Sequence, residues 1–301
     1  MSPRTAIITG ASSGLGLECA RALLASDPSW HLMLAVRDPA RGAEAVARLA
    51  APDRCTIADL DLASLRSVRA FVQGVRDTPL PPVHAVVCNA GVQVVSGAEV
   101  TDDGVEMTFG VNHLGHFAMM TGILDDLARP ARIVVVSSGT HDPAKHTGMP
   151  EPRYTSAADL ARPQADGSAA DGRRRYTTSK LCNVLFAYEL DRRLGHGAQG
   201  VTVNSFDPGL MPGSGLARDY PPLQRLAWRY LLPALRVLPA VRSTRTSGRY
   251  LAALVNDAQF DGVTGEYIDG RKSIRSSADS YDSAKALDLW ATSERLMMQV
   301  T

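Results

Sequence analysis

Short, almost wholly apolar runs recur along the chain at residues 6–8, 32–36, 56–57, 85–88, 133–136 and 201–203. A run without polar alternation is the pattern of a strand covered on both faces, as in a parallel sheet. Between the runs, apolar residues fall three and four apart, over residues 15–24 and at Leu65, Val68, Phe71, Val72 and Val75, the spacing of a helix with one buried stripe. Strands alternating with helices predict an α/β fold, a doubly wound parallel sheet with right-handed crossovers. No internal repeat, low-complexity tract or linker divides the chain, so residues 1–301 are expected to form a single domain.

Two segments break the rhythm. Residues 139–175, rich in Gly, Pro, Asp and Arg, predict a long excursion beside the active site. Residues 210–242 mix Met211, Tyr220, Leu223, Trp228, Tyr230 and Leu231 with prolines, the composition of an apolar substrate lid. Trp228 and Tyr230 there suit either packing or stacking on a planar substrate.

Charge narrows the range of partners. With 32 Lys+Arg against 31 Asp+Glu there is no basic surface for nucleic acid or an anionic membrane, and a small molecule is the expected partner. The apolar stretch at residues 226–238 contains Arg229, Pro233 and Arg236 and is too short for a transmembrane segment. The chain enters its first strand too early for a secretory signal. Cys19, Cys55, Cys88 and Cys182 lack metal-site or disulfide spacing, which predicts no metal and a reduced, cytoplasmic protein.

The chemistry begins at the first strand–helix junction. Thr9-Gly10-Ala11-Ser12-Ser13-Gly14-Leu15-Gly16 sits where backbone N–H groups at a helix N-terminus can meet a pyrophosphate and glycines admit its close approach. A tight turn that binds nothing is the alternative. After the second strand stands Arg37, followed by Asp38, where an NAD enzyme usually carries a carboxylate for the ribose. A guanidinium fork there suits a 2′-phosphate and favours NADP(H), unless Arg37 merely pairs with Asp38; Arg41 is a second candidate. Asn89-Ala90-Gly91 closes the fourth strand, where the amide can tie neighbouring strands together. Asn112 lies in a helical stretch, where a buried amide needs a partner. Tyr176-Thr-Thr-Ser-Lys180 follows the paired Ser137 and Ser138. Residues four apart share a helix face, so the Lys180 ammonium can favour the ionised Tyr176 phenol. Only four lysines occur, Lys145, Lys180, Lys272 and Lys285, so a lysine at this position is informative.

Taken in order, these motifs resemble the short-chain dehydrogenase/reductase family over nearly the whole chain. The resemblance implies a Rossmann-type fold and a division of labour: Tyr176 transfers the proton, Lys180 assists it and binds the nicotinamide ribose, Ser138 orients the carbonyl and Asn112 holds a relay water. It further implies cofactor contacts from Gly10, Ser12, Ser13, Gly14, Leu15, Gly16 and Arg37, and from the adenine-side pair Asp61 and Leu62. Asn89, Ala90, Gly91, Pro208, Gly209 and Ser214 complete the set. Arg37-Asp38, Val111-Asn-His-Leu-Gly-His-Phe117 and Ser179-Lys-Leu-Cys-Asn183 look closest to the protochlorophyllide reductase and retinol dehydrogenase group. The expected activity is NADP(H)-dependent reduction of a hydrophobic, bulky ketone or aldehyde, or oxidation of the alcohol. The alternatives are reduction of a conjugated C=C bond and a non-catalytic NADPH-binding regulator. His141 either polarises a substrate or caps the strand exit, the second being favoured. A homo-oligomer paired through the Tyr176 helix stays open.

Overall fold

The computed structural model describes residues 2–299 apart from 96, 98, 164–166 and 212–240. Eight strands form one sheet in the order β3-β2-β1-β4-β5-β6-β7-β8. They are β1 (Arg4–Thr9), β2 (Trp30–Val36), β3 (Cys55–Asp59), β4 (Val83–Cys88), β5 (Leu127–Val136), β6 (Val201–Asp207), β7 (Tyr267–Asp269) and β8 (Lys272–Ile274). Every pairing is parallel except that of β7 with β8. The chain starts in the middle of the sheet, winds out to β3, then returns past β1 to β4. That reversal places the ends of β1 and β4 side by side at the switch point, where an open α/β sheet has its crevice.

The helices are α1 (Gly14–Ser26), α2 (Pro39–Leu49), α3 (Leu65–Asp77), α4 (Met107–Phe109), α5 (Gly115–Ile123), α6 (Ala157–Ala161), α7 (Ala169–Arg193), α8 (Thr244–Asn256) and α9 (Ser283–Gln299). Alternate strand residues feed two separate cores. Ala6, Ile8, Leu32, Leu34, Val134 and Val136 meet α1 and α8 on one face. Ile7, Met33, Val86, Ile133 and Val135 meet α3, α5 and α7 on the other. Both faces are therefore dry, which is why the central strands read as unbroken apolar runs.

All the apolar runs lie within strands, but three features differ from expectation. β3 is an edge strand and leaves Ile57 36% exposed, so it is not covered on both faces. β7 and β8, three residues each, carry no apolar run to announce them. The excursion at 139–175 is partly helical: α6 lies within it, and α7 begins at Ala169 under a Ser168–Asp171 capping box. Most of the 210–242 segment, including Ser214, Trp228 and Tyr230, lies outside the described residues; at its base Leu210 bridges Val241. Among the described residues no helix is long and apolar enough to cross a membrane.

α5 sits tightly on the loop after β3. A Cβ at Gly115 would lie 2.5 Å from the Leu62 carbonyl oxygen, whereas one at Gly74 in α3 would meet nothing within 4 Å. Gly74→Ala is therefore expected to stabilise the protein by up to about 1 kcal/mol through helix propensity. Gly115→Ala is expected to destabilise it by roughly 1–3 kcal/mol through overpacking. Urea denaturation of the two variants checks this, and equal gains would show that α5 slides freely away from Leu62.

Candidate active site

Gly10 leaves β1 with φ +66°, a conformation that favours glycine, and a Cβ there would lie 2.9 Å from the Ala90 Cα. At Gly16 a Cβ would stand 2.6 Å from the Asn89 amide nitrogen. The glycine loop and the Asn89-Ala90-Gly91 turn are thus in close contact across β1 and β4. Asn89 closes the junction, its side-chain Nδ2 donating to the Thr9 carbonyl at 2.8 Å. The Asn89 and Ala90 backbone N–H groups both donate to the Thr9 hydroxyl at 2.9 Å. Ser13 precedes α1 in extended conformation and makes no side-chain cap. The first-turn N–H groups of this 13-residue helix therefore lack a side-chain cap and suit an anion.

Asn112 lies in a π-helical turn, Gly110–Leu114, between α4 and α5 and is fully buried. Its Oδ1 accepts from Val92 N at 2.7 Å, and its Nδ2 donates to Val92 O and to Ser179 Oγ, both at 2.9 Å. Ser179 Oγ in turn donates to the Tyr176 carbonyl at 2.7 Å. The Asn112 amide thus fixes both the segment after Gly91 and the turn of α7 that carries Tyr176. Ser137 anchors the same helix to β5, its hydroxyl donating to the Lys180 carbonyl at 2.7 Å. Ser138 follows directly and is half-buried, with its Oγ accepting only a long 3.3 Å bond from Thr140 N.

The Lys180 side chain is almost completely buried, with Nζ 5.5 Å from the Tyr176 ring centroid. That ammonium donates to the Val136 carbonyl at 3.3 Å, and a Cβ at Gly91 would lie 3.6 Å from it. Burial disfavours the charged form and lowers its pKa to about 8. Tyr176, Lys180, Asn112 and Gly91 are thereby brought together, with Ser138 one residue beyond the contact between β5 and α7.

Farther along the cleft, Asp38 is occupied as the N-cap of α2, accepting from Ala40 N and Arg41 N. Arg37 is exposed and makes no ion pair with Asp38. Asp61 is half-buried in an Asx turn, its Oδ1 accepting from Ala63 N at 2.9 Å, and Leu62 is buried beside it. His141 is fully buried. Its Nε2 accepts the Ser277 N–H at 3.1 Å, which leaves Nδ1 to donate to the Ser138 carbonyl at 2.7 Å. Burial holds its pKa below the usual value. With both nitrogens engaged by backbone, His141 caps the strand exit and presents no nitrogen to a substrate.

No motif in the sequence marked the ion cluster behind Pro208 and Gly209. Asp207 accepts from Gly209 N at 2.9 Å, Lys145 Nζ at 3.0 Å and the Tyr267 hydroxyl at 3.0 Å. Lys145 also reaches Asp269, which Arg242 pairs from the other side at 2.7 Å. Burial opposes the charge on Asp207, but Lys145 and the Gly209 N–H outweigh it and keep its pKa below the ordinary carboxylate value. Lys145, as a rare lysine, was the one available signal. Among the described residues no cluster of His, Cys, Asp or Glu could hold a metal ion.

The family model for short chain dehydrogenase matches residues 4–151. Protochlorophyllide reductase B of Hordeum vulgare is 37% identical over 97% of this chain and 78% of its own length. The WW domain-containing oxidoreductase of Gallus gallus is 34% identical over 99% of this chain and 69% of its own. A solved protein of Mycobacterium paratuberculosis, 28% identical, superposes with a TM-score of 0.71 over 99% of this chain and 94% of that one.

A buried ammonium with one carbonyl partner should weaken the fold. Lys180→Met is expected to be the more stable protein in chemical denaturation at pH 7, by on the order of 2–3 kcal/mol. With the folded pKa depressed to about 8 from the ordinary lysine value of about 10.5, the unfolded chain binds more protons between those pH values. Wild-type stability from this group therefore rises with pH across that window, and the advantage of the variant should shrink over it. A pH-independent difference would show that Lys180 keeps its ordinary pKa.

Proposed function

The chain belongs to the short-chain dehydrogenase family, and from that premise we propose that it is an NADP(H)-dependent oxidoreductase that reduces a ketone or aldehyde, or oxidises the corresponding alcohol. The observation that carries the reading is the buried Lys180 ammonium beside Tyr176, on a helix turn that Asn112 holds in place. A structural lysine would be paired with a carboxylate or exposed, as Lys145 and Lys285 are paired.

The residues present fit the cofactor. Uncapped N–H groups after Ser12, Ser13 and Gly14 suit the pyrophosphate, and we assign Gly10, Leu15 and Gly16 beside it, the two glycines letting the loop pack against Asn89 and Ala90. Arg37, exposed and not paired with Asp38, suits a 2′-phosphate and favours NADP(H) over NAD(H). We assign Asp61 and Leu62 to the adenine end, Asn89, Ala90 and Gly91 to the middle, and Pro208, Gly209 and Ser214 to the nicotinamide end. When bound, the nicotinamide supplies or accepts the hydride at its C4. Tyr176 gives its phenolic proton to the substrate oxygen, Ser138 holds that oxygen by a hydrogen bond, and Lys180 stabilises the negative charge that develops. Asn112 fixes the turn that carries Tyr176 and the path by which the phenol regains its proton.

A cavity of about 310 Å³ is lined by Thr140, Asp142, His146, Met149 and Glu151 among others, all from the segment that follows Ser138 in the chain. The hydrophobic, bulky character assigned to the substrate rests on the composition of residues 210–242. Four free cysteines, three of them buried, support a reducing compartment such as the cytoplasm.

A second reading, reduction of a conjugated C=C bond, is favoured by the likeness to protochlorophyllide reductases over 97% of the chain. It uses the same cofactor and tyrosine but delivers the proton to carbon.

Fluorescence titration with NADPH and NADH, followed by cofactor oxidation against hydrophobic ketones, aldehydes and enones, tests the proposal. NADPH preference with alcohol products is the expected result; saturated ketones from enones would select the second reading, and NADH preference would remove Arg37 from its role. Tyr176→Phe should lower turnover by at least about a hundredfold while NADPH still binds. Arg37→Ala should weaken NADPH by about tenfold or more with little change for NADH.

A further inference from the structure

The second histidine of Val111-Asn-His-Leu-Gly-His-Phe117 has no role in the site as described so far, yet its ring lies between the two halves of that site. His116 is 1% exposed. Its Nδ1 faces the backbone carbonyl of Asn112 at 3.2 Å, and its Nε2 faces the Thr9 hydroxyl at 2.9 Å. A carbonyl only accepts, so Nδ1 carries the hydrogen and Nε2 presents a lone pair. The Thr9 hydroxyl already accepts from Asn89 N and Ala90 N, and its single proton has two acceptors in reach, Nε2 at 2.9 Å and the Val87 carbonyl at 3.3 Å. The shorter contact, to a nitrogen that has no other donor, takes the proton. Every hydrogen-bonding position on the ring is then filled.

We propose that His116 is a positioning residue that links the π turn of Asn112 to the cofactor loop through Thr9. The inference rests on the reading of Asn112 and the glycine loop given above. One ring sets the distance between the end of β1, where Gly10 leaves the strand, and the turn whose amide holds the Tyr176 segment. A phenylalanine of similar shape would leave the Asn112 carbonyl without this donor and send the Thr9 proton to the longer contact with Val87. Protonation of the ring is also disfavoured, first by burial and then by the nearby Lys180 charge, which together hold its pKa at about 4. The link therefore stays neutral at working pH.

The tautomer is read first, in the cofactor-free protein, by long-range nitrogen–proton NMR of the imidazole. Nδ1–H is expected; Nε2–H would overturn the proposal. Next come kcat, KM and the NADPH Kd of four variants. His116→Gln reaches Thr9 but not the Asn112 carbonyl and should lower kcat about tenfold while Kd rises less than about threefold. His116→Asn keeps a donor for the carbonyl and loses Thr9, so the larger change should fall on Kd. Thr9→Val should weaken NADPH about fivefold or more and speed amide exchange at Asn89 and Ala90, and Thr9→Ser should restore most of both. Variants that lose only melting temperature, with kcat and Kd changed in equal proportion, would make His116 a packing residue and overturn the proposal. If the histidine variants do not fold, the Thr9 pair decides alone. A wild-type protein that binds no NADPH would instead sink the functional reading, and the tautomer and amide exchange would still report on the link.

Discussion

A lysine ammonium held almost out of water organises the whole site. Lys180 has one carbonyl partner, Val136 at 3.3 Å, and the face of the Tyr176 ring. Such a charge is costly to bury, and it persists only because its surroundings are over-determined. Ser137 fastens the Lys180 backbone to the end of β5, and Asn183 donates to the same Val136 carbonyl at 3.0 Å. Gly91 leaves room for the Asn112 amide, since a Cβ there would lie 3.2 Å from its Oδ1 and in ordinary contact with Nζ at 3.6 Å. Three elements therefore have to meet at one point, and the sheet order that puts β4 beside β5 is what brings them there.

The second cationic cluster at the same end of the sheet shows the contrast. Lys145 meets Asp207 and Asp269, Arg242 meets Asp269, and the Tyr267 hydroxyl completes Asp207. Opposite charges balance there, and all the groups have partners. The effect is architectural: the cluster fixes Gly209, the base of the 210–242 segment and the chain just after Ser138. His141 serves the same end, with both nitrogens held by backbone. One lysine is neutralised by carboxylates and the other is buried without a carboxylate partner among its hydrogen bonds, which is the physical difference between the two clusters.

Not every element was equally legible. The central strands announce themselves because each is buried on both faces, and a two-sided dry environment admits only apolar residues. β3 and the β7–β8 pair escape this rule, one being half-exposed at an edge and the others too short to form a run. The start of α7 was hidden by its polar first turns, Ala169 to Arg175, whose helicity depends on the Ser168–Asp171 cap and on packing. Gly172 lies so close to the carbonyls of Val94 and Val95 that a Cβ would stand 2.3 Å from one of them. The π turn at Asn112 has no sequence signal of its own, since it follows from the helix having to present that amide to both Val92 and Ser179.

The sequence by itself determined the alternation of the first six strands with helices, the glycine-bearing first turn, and the placing of Tyr176 and Lys180 four apart on one helix face. These are local properties, written in the spacing of apolar residues and in the few residue types a tight turn accepts. Only the tertiary structure decided which polar groups are free. The second nitrogen of His141 was taken by the Ser277 N–H, 136 residues away, and His116 was joined to a threonine 107 residues away. A hydrogen bond is made with whatever lies within about 3 Å in space, and chain spacing carries no record of that distance.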